Sequence, residues 1–129
     1  MGAKILTVDD SRMVRVIVSK TFAPLGCEIL EASNGAQALI MAQEHLPDLI
    51  FLDVTMGDMS GLEVLEQLRA TPELTSTPVI ILTAESGQTT LERADKLQVA
   101  GYVSKPFKGE QLLAMAEPFL APKPPVADA

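Results

Sequence analysis

The stretch Asp48-Leu49-Ile50-Phe51-Leu52-Asp53 decides the fold. Four consecutive apolar residues stand between two aspartates. A short continuous apolar run bounded by turn signals reads as a strand buried on both faces, as in a parallel sheet. Pro47 precedes it, and Gly57 and Gly61 follow soon after. Asp53 therefore stands where a central parallel strand runs out into a loop. In open α/β sheets that carboxyl edge is where ligands bind. A carboxylate there needs a reason, and the flanking sequence supplies one.

Towards the N-terminus, Lys4 to Val8 is another strand, ending at Asp9-Asp10. Ser11 to Ala23 has helical spacing, with Val14, Val18 and Phe22 on one stripe. Asp10 or Ser11 can cap its start, and Pro24 and Gly26 end it. Cys27 to Ala32 alternates, as a half-exposed edge strand does. Asn34 to Leu46 is the second helix, with Ala38, Leu39 and Ala42 towards the core. Towards the C-terminus, Ser60 or Gly61 begins a helix through Arg69 that carries Leu62, Leu65 and Leu68, and Thr71-Pro72 breaks it. Pro78 to Thr83 is again continuously apolar. The polar stretch Glu85 to Gln98 predicts a weakly anchored helix with a thin stripe of Leu91, Ala94 and Leu97. Ala100 to Ser104 is a short fifth strand. Lys108 to Leu120 is the last helix, with Pro118 expected to loosen its end. Residues 121–129 hold three prolines and are expected to be extended or disordered.

Strands alternate with helices five times. That pattern predicts a parallel sheet covered on both faces, with right-handed crossovers. The first, third and fourth strands are the most apolar and belong in the centre, the second at an edge.

Composition narrows the function. At 129 residues and 47% hydrophobic, the chain is expected to be one domain with a full core. A net charge of −7 argues against a nucleic-acid surface and against docking on anionic lipid. The single cysteine, Cys27, forms no internal disulfide and reads as a buried structural thiol. No apolar run reaches membrane-spanning length, and no signal-peptide succession opens the chain. A soluble, cytoplasmic protein is expected.

Four sites fall on one edge of the expected sheet. Asp9 and Asp10 follow the first strand, Asp53 ends the third, Thr83 ends the fourth and Lys105 follows the fifth. Crowded carboxylates repel one another unless a cation intervenes. Hard oxygen ligands on a loop edge suit Mg²⁺. A lysine opposite supplies a point charge for a phosphoryl group, and a threonine hydroxyl supplies a donor. Together these groups suit phosphoryl transfer with a carboxylate as nucleophile.

The ordered motifs Val8-Asp9-Asp10-Ser11, Asp53 in its apolar strand, Leu82-Thr83-Ala84 and Tyr102-Val103-Ser104-Lys105-Pro106-Phe107 resemble the response-regulator receiver domain of two-component signalling, in its stand-alone, CheY-like form. Any one of these motifs is weakly specific; all of them in order are strongly so. The resemblance runs from Lys4 to Leu120. It implies a receiver domain over 1–120 and a Pro/Ala-rich disordered tail over 121–129. It implies a flavodoxin-like (βα)5 fold, a doubly wound parallel five-stranded sheet of order 2-1-3-4-5 in three α/β/α layers.

By position, the resemblance makes Asp53 the phosphoacceptor. Mg²⁺ is held by Asp10, Asp53 and the backbone carbonyl of Thr55, with Asp9 acting through water. Lys105 pairs with Asp53 and then with its phosphoryl oxygens. Thr83 turns towards the phosphoryl group and Tyr102 follows inward. Lys105-Pro106 is expected to be cis, and the side chains of Thr55 and Glu85 help to set the hydrolysis rate. The family usually carries Met-Pro three and four residues past the acceptor. Here Met56 is followed by Gly57, which frees the metal-binding loop but removes no ligand.

The implied donor is a histidine kinase (CheA-like) or a phosphotransfer domain. The implied output is binding of another protein, such as the flagellar motor switch or another kinase, by the surface of the fourth helix, fifth strand and fifth helix. No output domain is expected after Leu120. A chemotaxis-type output is favoured, and the alternative is a phosphorelay intermediate or phosphate sink. The protein is expected to be a monomeric switch, not an enzyme beyond its own phosphorylation and dephosphorylation, without nucleic-acid or membrane partners.

Plainer readings stand beside these. Alone, Asp9-Asp10 is a helix cap, Thr83 a strand-end residue and Lys105 a solvated loop lysine; the ensemble reverses each. Tyr102 is a packing residue or a switch. His45 is a solvated histidine favoured by a helix dipole. Met56 and Met59 belong to a docking surface or to packing. A phosphohydrolase with an aspartyl nucleophile wants a second acid two residues after the first, where Thr55 stands. A nucleotide- or flavin-binding module wants a glycine-rich loop where Asp9-Asp10-Ser11 stands. A receiver that never takes phosphate sits badly with the complete acid, threonine and lysine set.

Overall fold

The apolar run after Pro47 folds as strand β3 (Leu49–Asp53), all five residues buried. It lies between β1 (Lys4–Val8) and β4 (Val79–Thr83), with β2 (Glu28–Ala32) and β5 (Gly101–Ser104) at the edges. All four pairings are parallel, and the order is β2-β1-β3-β4-β5, as expected. The computed structural model describes residues 3–54, 59–83 and 88–120, and at 88–91 the backbone alone. The readings placed on Thr55, Met56, Gly57, Ala84, Glu85, the Leu91 side chain and the tail 121–129 lie outside the described residues.

Four helices connect the strands and a fifth follows the last: α1 (Arg12–Phe22), α2 (Gly35–His45), α3 (Gly61–Ala70), α4 (Gln88–Lys96) and α5 (Gly109–Leu120). Side chains alternate across the strands, so each strand feeds both faces of the sheet. Ile5, Phe51, Ile80, Leu82 and Val103 meet Val18 and Phe22 of α1 and Leu112 and Ala116 of α5. Leu6, Ile50, Leu52 and Ile81 meet Ala38, Leu65, Leu68 and Ala94 of α2, α3 and α4. Three layers result. Truncating a fully buried residue such as Leu52 to alanine costs about 2–5 kcal/mol.

Side-chain caps fix where the helices begin. Ser11, rather than Asp10, caps α1 and accepts from the Val14 N–H at 3.4 Å. Asn34 accepts from the Gln37 N–H at 2.8 Å. Ser60 and Glu63 form a reciprocal capping box on α3. Such a cap contributes about 1 kcal/mol.

Two expectations need correcting. Cys27 is half-buried, not buried, because it lies just ahead of edge strand β2. The last helix is not loosened at Pro118: α5 continues through it to Leu120. Phe119 and Leu120 pack against the α1/α5 core, which holds the final residues helical despite the missing N–H.

Candidate functional site

Strand alternation aims the acids and the lysine at one place. Ile5 and Phe51 face α1 and α5, so two residues on, Asp53 faces the same side, and so do Thr7 and then Asp9. Val103 has that facing too, and Lys105 inherits it two residues later. The parallel sheet then brings these carboxyl ends together.

Lys105 Nζ lies 2.8 Å from Asp9 Oδ2 and 3.2 Å from Asp53 Oδ1. Asp9 is fully buried and Asp53 is 3% exposed. Asp10 is exposed at the rim. One carboxylate oxygen from each of Asp9, Asp10 and Asp53 lies within 4.8 Å of the others. Asp9 is held rigidly: its Oδ1 accepts from the Ser11 N–H at 2.8 Å, and Arg15 donates to its carbonyl at 2.6 Å. Arg15 also pairs with Glu31 at 3.0 Å, tying α1 to β2.

Burial of the Lys105 ammonium pulls its pKa down, and the bonds and charges of Asp9 and Asp53 more than offset that, so the net shift is upward. Three carboxylates against one ammonium leave two negative charges unbalanced. That donor set fits a hard divalent cation, which takes carboxylates at an open loop edge.

Thr83 ends β4 and is buried, at 4% exposed. It carries the facing of Val79 and Ile81, towards α2–α4, so it sits across the sheet edge from the Lys105 side. Its carbonyl accepts from the Lys105 N–H at 2.8 Å, which ties the end of β4 to the lysine. Tyr102 pairs with Ile81 in register and therefore shares Thr83's face, one pleat back. Tyr102 is half-buried, and its hydroxyl donates to Asp95 of α4. Burial, together with the Asp95 bond and charge, pushes its phenol up to about 12. The Lys105–Pro106 bond is cis, as expected.

The other singled-out residues fall elsewhere. His45 ends α2 at the opposite edge, where its carbonyl accepts from Lys4 Nζ at 3.2 Å. Met59 is half-buried and packs over Gly35 and the α2–α4 core. Arg15, Arg69 and Asp95 were not singled out by the sequence, and each makes a contact with another element of the fold. A lone arginine or aspartate on a helix carries no local signal of such a contact.

The sequence pattern for "Response regulator receiver domain" matches residues 5–117. The chain is 30% identical to sporulation initiation phosphotransferase F of Bacillus subtilis, over 93% of this chain and 95% of that protein. It is 32% identical to the chemotaxis protein CheY of Bacillus subtilis, over 88% and 93% respectively. Of other curated relatives it spans only a part: 14% of the sensor histidine kinase CheAY of Helicobacter pylori and 49% of MprA of Mycobacterium bovis. Among solved structures, the chemotaxis protein CheY4 of Vibrio cholerae superposes with a TM-score of 0.87 at 34% identity, covering 93% of this chain and all of that one. Among the described residues, no helix is long and apolar enough to cross a membrane. The chain belongs to the response regulator receiver domain family, as a flavodoxin-like receiver similar to the CheY proteins.

Proposed function

We propose that residues 1–120 form a cytoplasmic, monomeric phosphorylation switch in which Asp53 takes a phosphoryl group from the phosphohistidine of a histidine kinase or a phosphotransfer domain. The observation that carries this reading is Lys105 Nζ set between two almost inaccessible carboxylates, with Asp10 beside them. An Asp53 oxygen forms a bond to phosphorus as the P–N bond breaks, and the electron pair returns to the donor imidazole. Lys105 exchanges its bond to Asp53 for bonds to the phosphoryl oxygens and offsets their charge. Asp10 and Asp53, with the Thr55 carbonyl, would hold Mg²⁺, and Asp9 would act through water. Bound there, Mg²⁺ supplies charge neutralisation at the phosphoryl oxygens.

The acyl phosphate adds charge and acceptor atoms. Thr83 and Tyr102 then rearrange and bias the α4–β5–α5 surface towards a protein partner. Similarity to CheY proteins over almost their whole length favours a chemotaxis-type output, with a flagellar motor switch or a kinase as partner. Comparable similarity to a sporulation phosphotransferase supports a second reading, a relay that exchanges phosphate in both directions with a phosphotransfer domain.

Intact mass after incubation with a small acyl phosphate donor tests the acceptor. One phosphoryl group should be gained, only with Mg²⁺, and none in Asp53→Asn. Gain in Asp53→Asn, or no gain together with no beryllofluoride binding, refutes the reading. Fast back-transfer to a phosphotransfer domain would select the relay over the chemotaxis-type output.

A further inference from the structure

The described side chains of helix α4 reach the rest of the molecule largely by polar contacts. Among its described side chains, Ala94 alone is buried. Arg93 pairs with Glu66 of α3 at 3.4 Å, with both groups exposed. Arg69 of α3 holds the Leu97 and Gln98 carbonyls just past the helix. Asp95 accepts the Tyr102 hydroxyl from β5. The Tyr102 ring meanwhile packs on the α2–α4 core, on the face that also carries Thr83.

We propose that Asp95 is a positioning residue, a latch whose bond to the Tyr102 hydroxyl holds the ring against α4 and opposes the rearrangement that follows occupation of Asp53. This rests on the reading of Asp53 and Tyr102 given above. In this proposal the hydroxyl leaves Asp95 as the ring turns in towards Thr83, so that the bond belongs to one state only. A contact made in only one of two states sets their populations, and a ligand of the other state must overcome it. The raised Tyr102 phenol fits a hydroxyl that is both desolvated and committed to a carboxylate. Without the latch, an Asp53 ligand should bind roughly three- to tenfold more tightly, the range for one partly exposed, charge-assisted hydrogen bond.

The chain has one tyrosine. Incorporated 3-fluorotyrosine therefore gives a single ¹⁹F resonance that reports Tyr102, and beryllofluoride with Mg²⁺ serves as the Asp53 ligand. Asp95→Ala should move the ligand-free resonance towards its beryllofluoride-bound position and tighten beryllofluoride binding three- to tenfold. Asp95→Asn keeps an accepting oxygen but loses the charge, and should fall between wild type and Asp95→Ala. In a Tyr102→Phe background, Asp95→Ala should change the affinity no further. An unchanged affinity in Asp95→Ala overturns the latch, whether or not the resonance moves. Equal tightening in the Tyr102→Phe background also overturns it, since α4 would then merely have been loosened. Absence of beryllofluoride binding in the wild type is a different result: it overturns the phosphoacceptor reading, and the latch with it.

Discussion

Gly61 lies hard against the backbone of Asp53: a Cβ at residue 61 would fall 2.1 Å from the Asp53 carbonyl oxygen and 2.8 Å from Val54 Cα. The Gly61 N–H also donates to the Val54 carbonyl at 2.8 Å. The start of α3 is thereby stitched to the end of β3. Backbone cannot give way as the tip of a flexible side chain can. Gly61→Ala should cost about 1–3 kcal/mol, the range for overpacking a filled site. It should also slow acyl-phosphate labelling by displacing Asp53 from Lys105. Urea unfolding and labelling rates check this, and an alanine variant matching wild type in both would refute it.

Asp10 contributes charge at the rim, and no ion pair of its own appears among the described residues. Asp10→Asn removes repulsion between carboxylates, so stability without metal should hold or rise. Its response to Mg²⁺ should be lost. A ligand that binds only the folded state stabilises by about 2.7 kcal/mol at a hundred times its Kd. The wild-type melting temperature should therefore climb with Mg²⁺ and fall back with chelator, while that of Asp10→Asn stays flat. A full Mg²⁺ response in the variant would remove Asp10 from the ligand set.

The pH dependence of Lys105 follows from the direction of its shift. Burial lowers its pKa, and Asp9 and Asp53 raise it by more, so the folded value lies above the ordinary lysine value. A pKa raised on folding contributes stability that is fully present below the unfolded value and lost as pH rises through the folded one. From neutral pH upward, the stability gap between wild type and Lys105→Met should therefore stay constant at first and then shrink in the alkaline range above about pH 10.5. Mg²⁺ should narrow the gap at neutral pH, since it supplies the charge that the two buried acids lose. Denaturant midpoints from neutral to alkaline pH measure this, and a gap that closes at neutral pH contradicts it.

Local patterns carry much of this molecule. The runs Leu49–Asp53 and Val79–Thr83 are apolar almost throughout because both faces of the sheet are covered, and every residue in them is buried. Asp9, Asp53, Thr83 and Lys105 were legible because parallel strands bring all their carboxyl ends to one edge. The cap at Ser11 is short-range and was legible for that reason, as were helix starts close to Asn34 and Ser60, whose capping bonds the structure adds. Contacts between elements were not. Gly61 read as a turn signal and a possible start of the third helix, whereas proximity to β3 is what requires a glycine there. Asp95 read as one polar residue on a polar helix, and nothing local ties it to Tyr102. Cys27 was misjudged because it sits just ahead of the edge strand, where part of its surface stays open.

Thr7 is fully buried on β1, beside Phe51 in register, and its hydroxyl finds no hydrogen-bond partner among the described residues. A buried hydroxyl without a partner costs its desolvation. Thr7→Val keeps the branched shape and removes that penalty. It should raise stability by about 1 kcal/mol while leaving phosphoryl acceptance unchanged. A lower denaturation midpoint would mean that the hydroxyl does a job the static structure hides.

Arg69 gathers four backbone carbonyls: Leu97 at 2.8 Å, Thr77 at 2.9 Å, and Leu74 and Gln98 at 3.2 Å. Its partners come from the segment entering β4 and from the segment between α4 and β5. Gln98 has a positive φ of 61°, so this second segment is a tight turn that needs outside support. Burial lowers the Arg69 pKa, but a guanidinium stays charged at any working pH. Arg69→Met should cost about 3 kcal/mol, since bonds to a charged donor are worth more than neutral ones and are not additive. Arg69→Lys should rescue little, because one ammonium cannot reach carbonyls spread over two segments. Amide hydrogen exchange should then quicken in α4 and β5 well before α1, as the clamp holds those elements and not the opposite layer. Uniform acceleration across the chain, or full rescue by lysine, would show that Arg69 contributes only general stability.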